Sequence, residues 1–425
     1  MTPSMRRDAP WLALSVLTAI STVGFIDRIV LNVLAVPIKA EFHLSDTQVG
    51  LMTGFAFSLL NVTLGIAIAR YADRGPRMAL IVIGTLLWSL ATALCGFVTS
   101  FAQLLVARIG VGVGEAVGLP ASQSVVADYV PPQRRASAMS VLLLAPPVGA
   151  FIGAAGGGWV AQGWGWRAAF LIATLPGVVL ALVAWALVAE PPRGRHDREA
   201  SAAVPSLGAV VGRLLGLPSA RQLLAGSTLA SLVGFGLNGF LVFVFTRKFG
   251  LSLAQAALAS GVIGSLPGAI AVIAGGRVAD RLGARNPAAY AAVPGIALMI
   301  GGALYIMAIT RGSIAAMLPL MLAAALFQYA YLGVTFGVFQ NLLHSRMRAT
   351  GSALLNVVYG LVGQGGGTLL VGALSDRLTP AYGSANGLVY AMLIACLIYF
   401  WAGAHYLLAG RHLARDLAMV REGGG

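Results

Sequence analysis

Apolar residues run along this chain in blocks of about 20, separated by short polar segments, and a block of that length crosses a bilayer as a helix. The blocks predict twelve spans. The first half holds residues 11–34, 48–69, 78–99, 101–127, 137–161 and 167–189. The second holds 222–246, 252–279, 287–310, 314–343, 350–374 and 387–408. The fold class is therefore an all-α integral membrane protein of two pseudo-symmetric six-helix halves, 1–189 and 222–408, with a linker at 190–221 and a tail at 409–425. The first block starts after Arg6 and Arg7 and runs on to Leu34, too far for the short apolar core of a cleaved signal peptide. Ser45 and Gln48 have the spacing of a capping box that opens span 2. In the linker, Glu190-Pro191-Pro192 stops a helix. Leu207, Val210, Val211, Leu214 and Leu215 then recur at helical spacing, which fits either a short amphipathic helix lying on the cytoplasmic surface or an ordinary cytoplasmic linker with a few apolar contacts.

Charge orients the spans. With both termini inside, and with Arg167 and Arg277 at span ends counted with the outer loop and inner segment they adjoin, 20 of the 28 lysines and arginines fall in inner segments and six in outer loops. That asymmetry is the positive-inside pattern of a multi-pass protein, here suited to a bacterial inner membrane. Only 10% of residues are charged, against about a quarter in soluble domains. The net charge of +14 has no basic stripe with interleaved aromatics, so nucleic acid is excluded as a partner. The 54 glycines lie inside apolar blocks, where small residues let helices pack closely. Gly149, Gly153 and Gly157 in span 5, and Gly264 and Gly268 in span 8, predict a seam between those two spans. Cys95 and Cys396 sit in separate spans and form no disulfide or metal set. His43 and His196 fall in loops, His344 and His412 at the inner face, and His405 alone in span 12. No metal, nucleophile elbow or phosphate loop is indicated, so an enzyme is disfavoured and no cofactor beyond a proton is expected.

The chain repeats itself. Asp73-Arg74 after span 2 and Asp280-Arg281 after span 8 are 207 residues apart, about half the chain. Arg135-Ala136-Ser137 after span 4 matches Arg348-Ala349-Thr350 after span 10. Two six-span halves related in this way form the parallel repeat of a transporter.

Four charges lie deep in the spans: Asp27, Arg28, Arg108 and Glu115. Each costs about 2.5–3.5 kcal/mol at the bilayer centre if unpaired, so the four together would cost roughly 10 kcal/mol. They must pair or face a wet cavity. Asp27 lies ten residues, about 15 Å, before Pro37 at the outer side of span 1, and Arg108 lies about 10 Å and Glu115 about 21 Å from the outer end of span 4. Arg108 and Glu115 are two turns apart on one face, which suggests that Arg108 holds Glu115 and that Arg28 can take its place. Burial favours a neutral acid and a neighbouring arginine a charged one. The cluster therefore reads as a proton-coupling site, with Asp27 and Glu115 as acids and Arg28 and Arg108 as charge partners. The alternative is a static ion-pair network. The second half has no such charges near the middle of its spans. Its polar side chains there include Asn238, Gln328, Tyr329, Tyr331, Asn356, Tyr359 and Gln364. Asn32, one turn beyond Arg28, with Asn238, Gln328, Tyr329, Asn356 and Tyr359, are the candidate substrate-cavity residues.

Several segments in register resemble the major facilitator superfamily and, within it, the Spinster-like branch. They are Asp27-Arg28, the run from Pro37-Ile38-Lys39 through Ser45-Asp46-Thr47-Gln48, the Asp-Arg loops, Arg108-x-x-x-Gly112, and Gly112-Val113-Gly114-Glu115-Ala116. Ala69 departs from the glycine usual in the family's loop motif. The resemblance implies that spans 1, 4, 7 and 10 line a central cavity and that the two halves rock about it. It implies a cytoplasmic gate at Asp73, Arg74, Arg77, Asp128, Asp280 and Arg281, with Asp73 at the end of span 11 and Arg74 and Arg77 on acids such as Asp128. The Pro-x-Gly pattern of span 5 resembles the family's antiporter motif.

These expectations converge on a monomeric, proton-coupled secondary transporter that moves an amphipathic substrate outward by alternating access. A cavity charged on one wall and apolar on the other suits a lysophospholipid, a sphingoid lipid or a hydrophobic drug. The alternative transporter imports a small organic anion or sugar with protons. A lipid-binding receptor that moves nothing is a third class.

Overall fold

The computed structural model describes residues 9–59, 61, 63, 75–193, 195, 206–343 and 347–422. Ala69, Asp73, Arg74, His196 and His344 lie outside them. Every element among the described residues is helical, because a chain in hydrocarbon must satisfy its own backbone. Eight helical stretches are long and apolar enough to cross a membrane. Two of these, Ser137–Leu187 and Thr350–Val420, each contain two of the predicted spans. Predicted span 4 is divided in two, and most of predicted span 2 lies outside the described residues.

The chain forms two compact units. Unit 1 is Met1–Ala200 with Gly250–Gly261, and unit 2 is Ser201–Phe249 with Val262–Gly425. In unit 1, α1 (Pro10–Phe42) begins on a proline, which has no N–H to leave unpaired, and ends at His43 in the left-handed conformation. The Ser45–Gln48 capping box then opens α2 (Asp46–Gly50), with Gln48 N–H to Ser45 Oγ at 3.1 Å and Ser45 N–H to Gln48 Oε1 at 2.9 Å. A π-helical turn, Leu51–Phe55, continues it. After α3 (Arg77–Cys95), predicted span 4 appears as α4 (Phe101–Glu115) and α5 (Gly118–Tyr129), broken at Ala116–Val117. α6 (Pro132–Leu142) leads into α7 (Ala145–Leu187), where Gly165 (φ 83°, ψ 164°) interrupts the helix. This conformation is open essentially to glycine alone. Before Gly165, α7 runs beside α1 in the same direction, with Gly149 against Thr22 and Phe25, Gly153 against Ile26 and Gly157 against Val30. After it the chain returns along α3, where Thr174 donates to Ser89 O.

Unit 2 repeats this plan. The linker helix α8 (Leu207–Gly216) buries Val210 and Leu214. It is followed by α9 (Pro218–Phe249), α10 (Leu253–Gly283, whose first turns belong to unit 1), α11 (Ala289–Ile309), α12 (Ile314–Tyr329) and α13 (Tyr331–Asn341). α14 (Arg348–Val358) runs through a π-helical turn, Tyr359–Gly366, into α15 (Gly367–Glu422), which is interrupted at Gly383 (φ 78°, ψ 163°). Gly363 and Gly367 lie against Ser231, Leu232 and Gly236 of α9, just as the α7 glycines lie against α1.

The glycine seams correct the sequence expectation. Gly149, Gly153 and Gly157 face α1, not span 8. The first turns of α10 instead meet the neighbouring face of α7, with Ala257 against Gly158 and Gly261 against Ala154. A stripe of small residues marks close approach, but its partner depends on how the helix is rotated. Gly264 has open space beside it, and Gly268 lies against Tyr329.

A methyl group at Gly367 would sit 2.1 Å from Leu232 O. Gly367→Ala is therefore expected to cost about 1–3 kcal/mol through overpacking. Gly264→Ala is expected to be neutral or to gain up to about 1 kcal/mol of helix propensity. Thermal unfolding in detergent checks this, and equal midpoints for the two variants would show that the α9–α15 seam yields.

Candidate functional site

The four deep charges of unit 1 meet as two interlocked pairs. Arg108 on α4 donates from Nη1 to Asp27 Oδ2 at 3.1 Å. Thr92 on α3 donates from Oγ1 to Asp27 Oδ1 at 2.8 Å. Arg28 donates from Nε to Glu115 Oε2 at 2.5 Å. The first pair is sealed, with Asp27 2% and Arg108 1% exposed. In the second, Glu115 is buried and Arg28 keeps 28% of its side chain exposed. The Arg28 guanidinium lies over the rings of Phe25 (5.1 Å) and Phe57 (4.7 Å), a favourable setting for a partly desolvated cation.

This pairing differs from the one the α4 spacing suggests. Seven residues along a helix are about 10.5 Å, so Arg108 and Glu115 are too far apart for a direct bond. Consecutive residues of α1 reach the two levels instead, Asp27 meeting Arg108 and Arg28 meeting Glu115. Thr92 was not among the sequence candidates. Its signal was there, since Thr85, Ser89 and Thr92 form one buried polar stripe on an otherwise apolar span. Two polar atoms of the cluster have no hydrogen-bond partner, Glu115 Oε1 and Arg108 Nε. Asn32 is half-buried one turn beyond Arg28.

In unit 2, Asn238 Nδ2 donates to the Tyr329 hydroxyl at 3.1 Å. Gln328 is buried against Gly234, Tyr359 is buried with its ring against Phe336, and Asn356 is exposed. The repeat is visible at Gln328. Ser100 caps α4 and Ser313 caps α12, each with its side chain on the N–H three residues on. Counted from those caps, Glu115 and Gln328 occupy the same position, next to the break in each span. Both are buried, and each has Oε1 without a hydrogen-bond partner. The second half thus carries a neutral amide where the first carries a carboxylate.

A second polar centre lies at one end of unit 1. Arg77, the first residue of α3, pairs with Asp128 of α5. It also donates from Nε to Glu190 Oε1 (2.9 Å), from Nη1 to Ser124 Oγ (3.0 Å) and from Nη2 to Pro191 O (3.1 Å). Glu190 Oε2 accepts the Met78 N–H at 2.7 Å, so an anion sits at the N-terminus of α3. The sequence marks Glu190 only as a helix stop, and its contact with residues 112 positions earlier is tertiary. In unit 2, Asp280 and Arg281 are exposed at the end of α10, with the Asp280 carboxylate at the Tyr290 hydroxyl. Among the described residues no group of histidine, cysteine, aspartate or glutamate could hold a metal ion.

Residues 16–366 match the model of the Major Facilitator Superfamily. An MFS-type efflux pump of Mycolicibacterium smegmatis is 33% identical over 419 residues, which cover 96% of this chain and 94% of that protein. Protein spinster homolog 1 of Xenopus tropicalis is 25% identical over 432 residues, 94% of this chain and 80% of that protein. The crystal structure of a bacterial homolog of the human lysosomal transporter Spinster, in an inward-facing and unoccupied conformation, superposes with a TM-score of 0.89. It is 30% identical and covers 96% of this chain and 98% of that one.

Removing Arg108 alone strands a buried carboxylate. Arg108→Met is expected to cost about 3–5 kcal/mol, and Asp27→Asn with Arg108→Met to recover most of that by removing both charges. Unfolding midpoints of the two variants in detergent test this, and a double variant no more stable than the single one would overturn it.

Proposed function

This chain belongs to the Major Facilitator Superfamily, a family of membrane transporters, and on that premise we propose that it is a proton-coupled exporter of an amphipathic substrate. It resembles the Spinster branch in sequence and in fold. The observation that carries the proposal is the pair of interlocked ion pairs in unit 1, together with the amide that unit 2 holds at the position equivalent to Glu115. Intramembrane acids are functional by default, because they are too costly to keep otherwise.

The two acids have different parts. Glu115 has one oxygen on Arg28 and the other without a partner, so a proton can add at Oε1 without breaking a bond. Asp27 has both oxygens engaged, by Thr92 and Arg108, so loss of its charge would weaken the tie to Arg108. Protonating Glu115 weakens its hold on Arg28, and Arg28 neighbours Asp27 in the chain. Proton binding at one level is thereby tied to ion pairing at the next. Rocking of the halves changes which acid is paired and which is open, and this couples the proton to alternating access.

The substrate follows from polarity. An anionic or zwitterionic head is matched by the partly exposed Arg28 of unit 1, with Asn32 one turn beyond it, and an apolar tail by unit 2, whose spans carry only the neutral Asn238, Gln328, Tyr329, Asn356 and Tyr359 among apolar neighbours. Lysophospholipids, sphingoid lipids and hydrophobic drugs share this build. The efflux pump among the relatives supports outward movement. In unit 1 the cytoplasmic gate is carried by Arg77, Asp128 and Glu190 with the loop residues Asp73 and Arg74, and in unit 2 by Asp280 and Arg281, which repeat the Asp-Arg pair; because Arg77 is buried, its ion pairs exchange only when another partner replaces them. The protein acts as a monomer in the cell membrane, with both termini in the cytoplasm.

The test is flux of labelled lysophospholipid in proteoliposomes with and without an imposed pH gradient. The gradient is expected to stimulate flux. Asp27→Asn and Glu115→Gln are each expected to abolish that stimulation while leaving substrate exchange. Unchanged driven flux in Asp27→Asn would remove Asp27 from the coupling. Flux indifferent to the gradient would remove proton coupling altogether. Gradient-driven uptake of organic anions without lipid flux would favour symport.

A further inference from the structure

The last helix of unit 2 does not stop at the end of its apolar block. α15 continues past Leu408 to Glu422 as helix. Ala409, Leu413 and Asp416 are fully buried along this extension. The Asp416 carboxylate accepts the Ser219 backbone N–H at 2.9 Å, in the first turn of α9, where the N–H groups lack intrahelical partners and the helix dipole favours an anion. The extension is therefore a pinned element of unit 2.

Pinning fixes which face points outward. Leu397, Trp401, Leu408, Arg411, Arg415 and Met419 are all exposed, at intervals of four, seven, three, four and four residues. Those intervals trace one stripe along an α-helix. The stripe changes character along its length, apolar as far as Leu408 and cationic at Arg411 and Arg415. From Trp401 to Arg411 is about 15 Å along the axis, half of a hydrocarbon core about 30 Å thick. The stripe thus has the polarity profile of a single leaflet, acyl chain first and headgroup after.

We infer that this stripe binds an anionic phospholipid of the adjacent leaflet. Its acyl chains lie along Leu397, Trp401 and Leu408, and its phosphate sits between Arg411 and Arg415. Arginine forks match phosphate oxygens and lose less on desolvation than an ammonium group. Arg415 makes a long ion pair of 4.0 Å with Asp416 Oδ1, while Asp416 Oδ2 accepts from α9, so two guanidiniums stand against one buried carboxylate. The two guanidiniums therefore present net positive charge outward. A zwitterionic lipid has the same phosphate but brings its own cation, so the charge of the site selects lipids of net negative charge.

The experiment is thermal unfolding of the full-length protein in neutral detergent, titrated with phosphatidylglycerol, phosphatidylcholine or glycerol 3-phosphate. Phosphatidylglycerol is expected to raise the unfolding midpoint saturably, with a smaller rise for phosphatidylcholine and none for glycerol 3-phosphate. Arg411→Gln with Arg415→Gln, both exposed, should leave the lipid-free midpoint unchanged and remove most of the phosphatidylglycerol shift. Trp401→Ala should reduce the shift in part. An equal shift from phosphatidylcholine, or a full shift retained by the arginine variant, would overturn the inference. A full shift from glycerol 3-phosphate would assign the site to free phosphate instead. Native mass spectrometry of retained phosphatidylglycerol, parent against arginine variant, decides the matter should the variant's own midpoint move.

Discussion

Hydrocarbon offers a charge nothing to replace water, and that constraint organises the first unit. Asp27 is reached by Arg108 from α4 and by Thr92 from α3, so a single carboxylate on α1 ties three helices together. Its neighbour Arg28 makes the second tie, to Glu115. Backbone groups obey the same rule at the helix ends, where Ser45, Ser100 and Ser313 cap and Glu190 accepts an N–H of α3. A buried ion pair adds little net stability over an apolar replacement, but removing one partner is expensive. Such pairs suit a device that exchanges partners, because each alternative arrangement must remain fully paired.

The two units share a plan and differ in charge. Each has a glycine seam along its first long helix, a reversal at a single glycine, and a broken fourth helix opened by a serine cap. At that break the first unit carries Glu115 and the second Gln328, side chains of the same shape. Only one of them can carry a charge, so the repeat supplies two matched halves that differ in whether this position is ionisable. Interrupted helices at corresponding positions of a repeat are where transporters of this architecture bind substrate and coupling ions. Asp27 and Arg28 have no charged counterpart on α9, where Gly234 leaves the room that Gln328 fills.

Much of this was legible in the chain. Block length indicates the spans, because the bilayer imposes one length scale. The Asp-Arg repeat indicates two related halves. The four deep charges stand out because nothing else in their spans is charged. The Ser45–Gln48 cap is local, and it forms as its spacing predicts. What was not legible depends on helix rotation and long-range approach. The glycine stripe of α7 signals a close partner without saying which, and the partner is α1. Glu190 looks like punctuation until it meets Arg77.

Sequence alone determined that this is an all-helical membrane-spanning protein of two related halves, with a rare charged cluster in one of them. Those properties are set by transfer free energies, which each residue carries with it wherever the chain goes. Tertiary structure decided which charge meets which, that Thr92 belongs to the cluster, and that the chain beyond Leu408 is held by Asp416 against α9. Hydrogen bonds and ion pairs act only within a few ångströms. They are therefore written in the rotation and crossing of helices far apart in sequence, which no local pattern encodes.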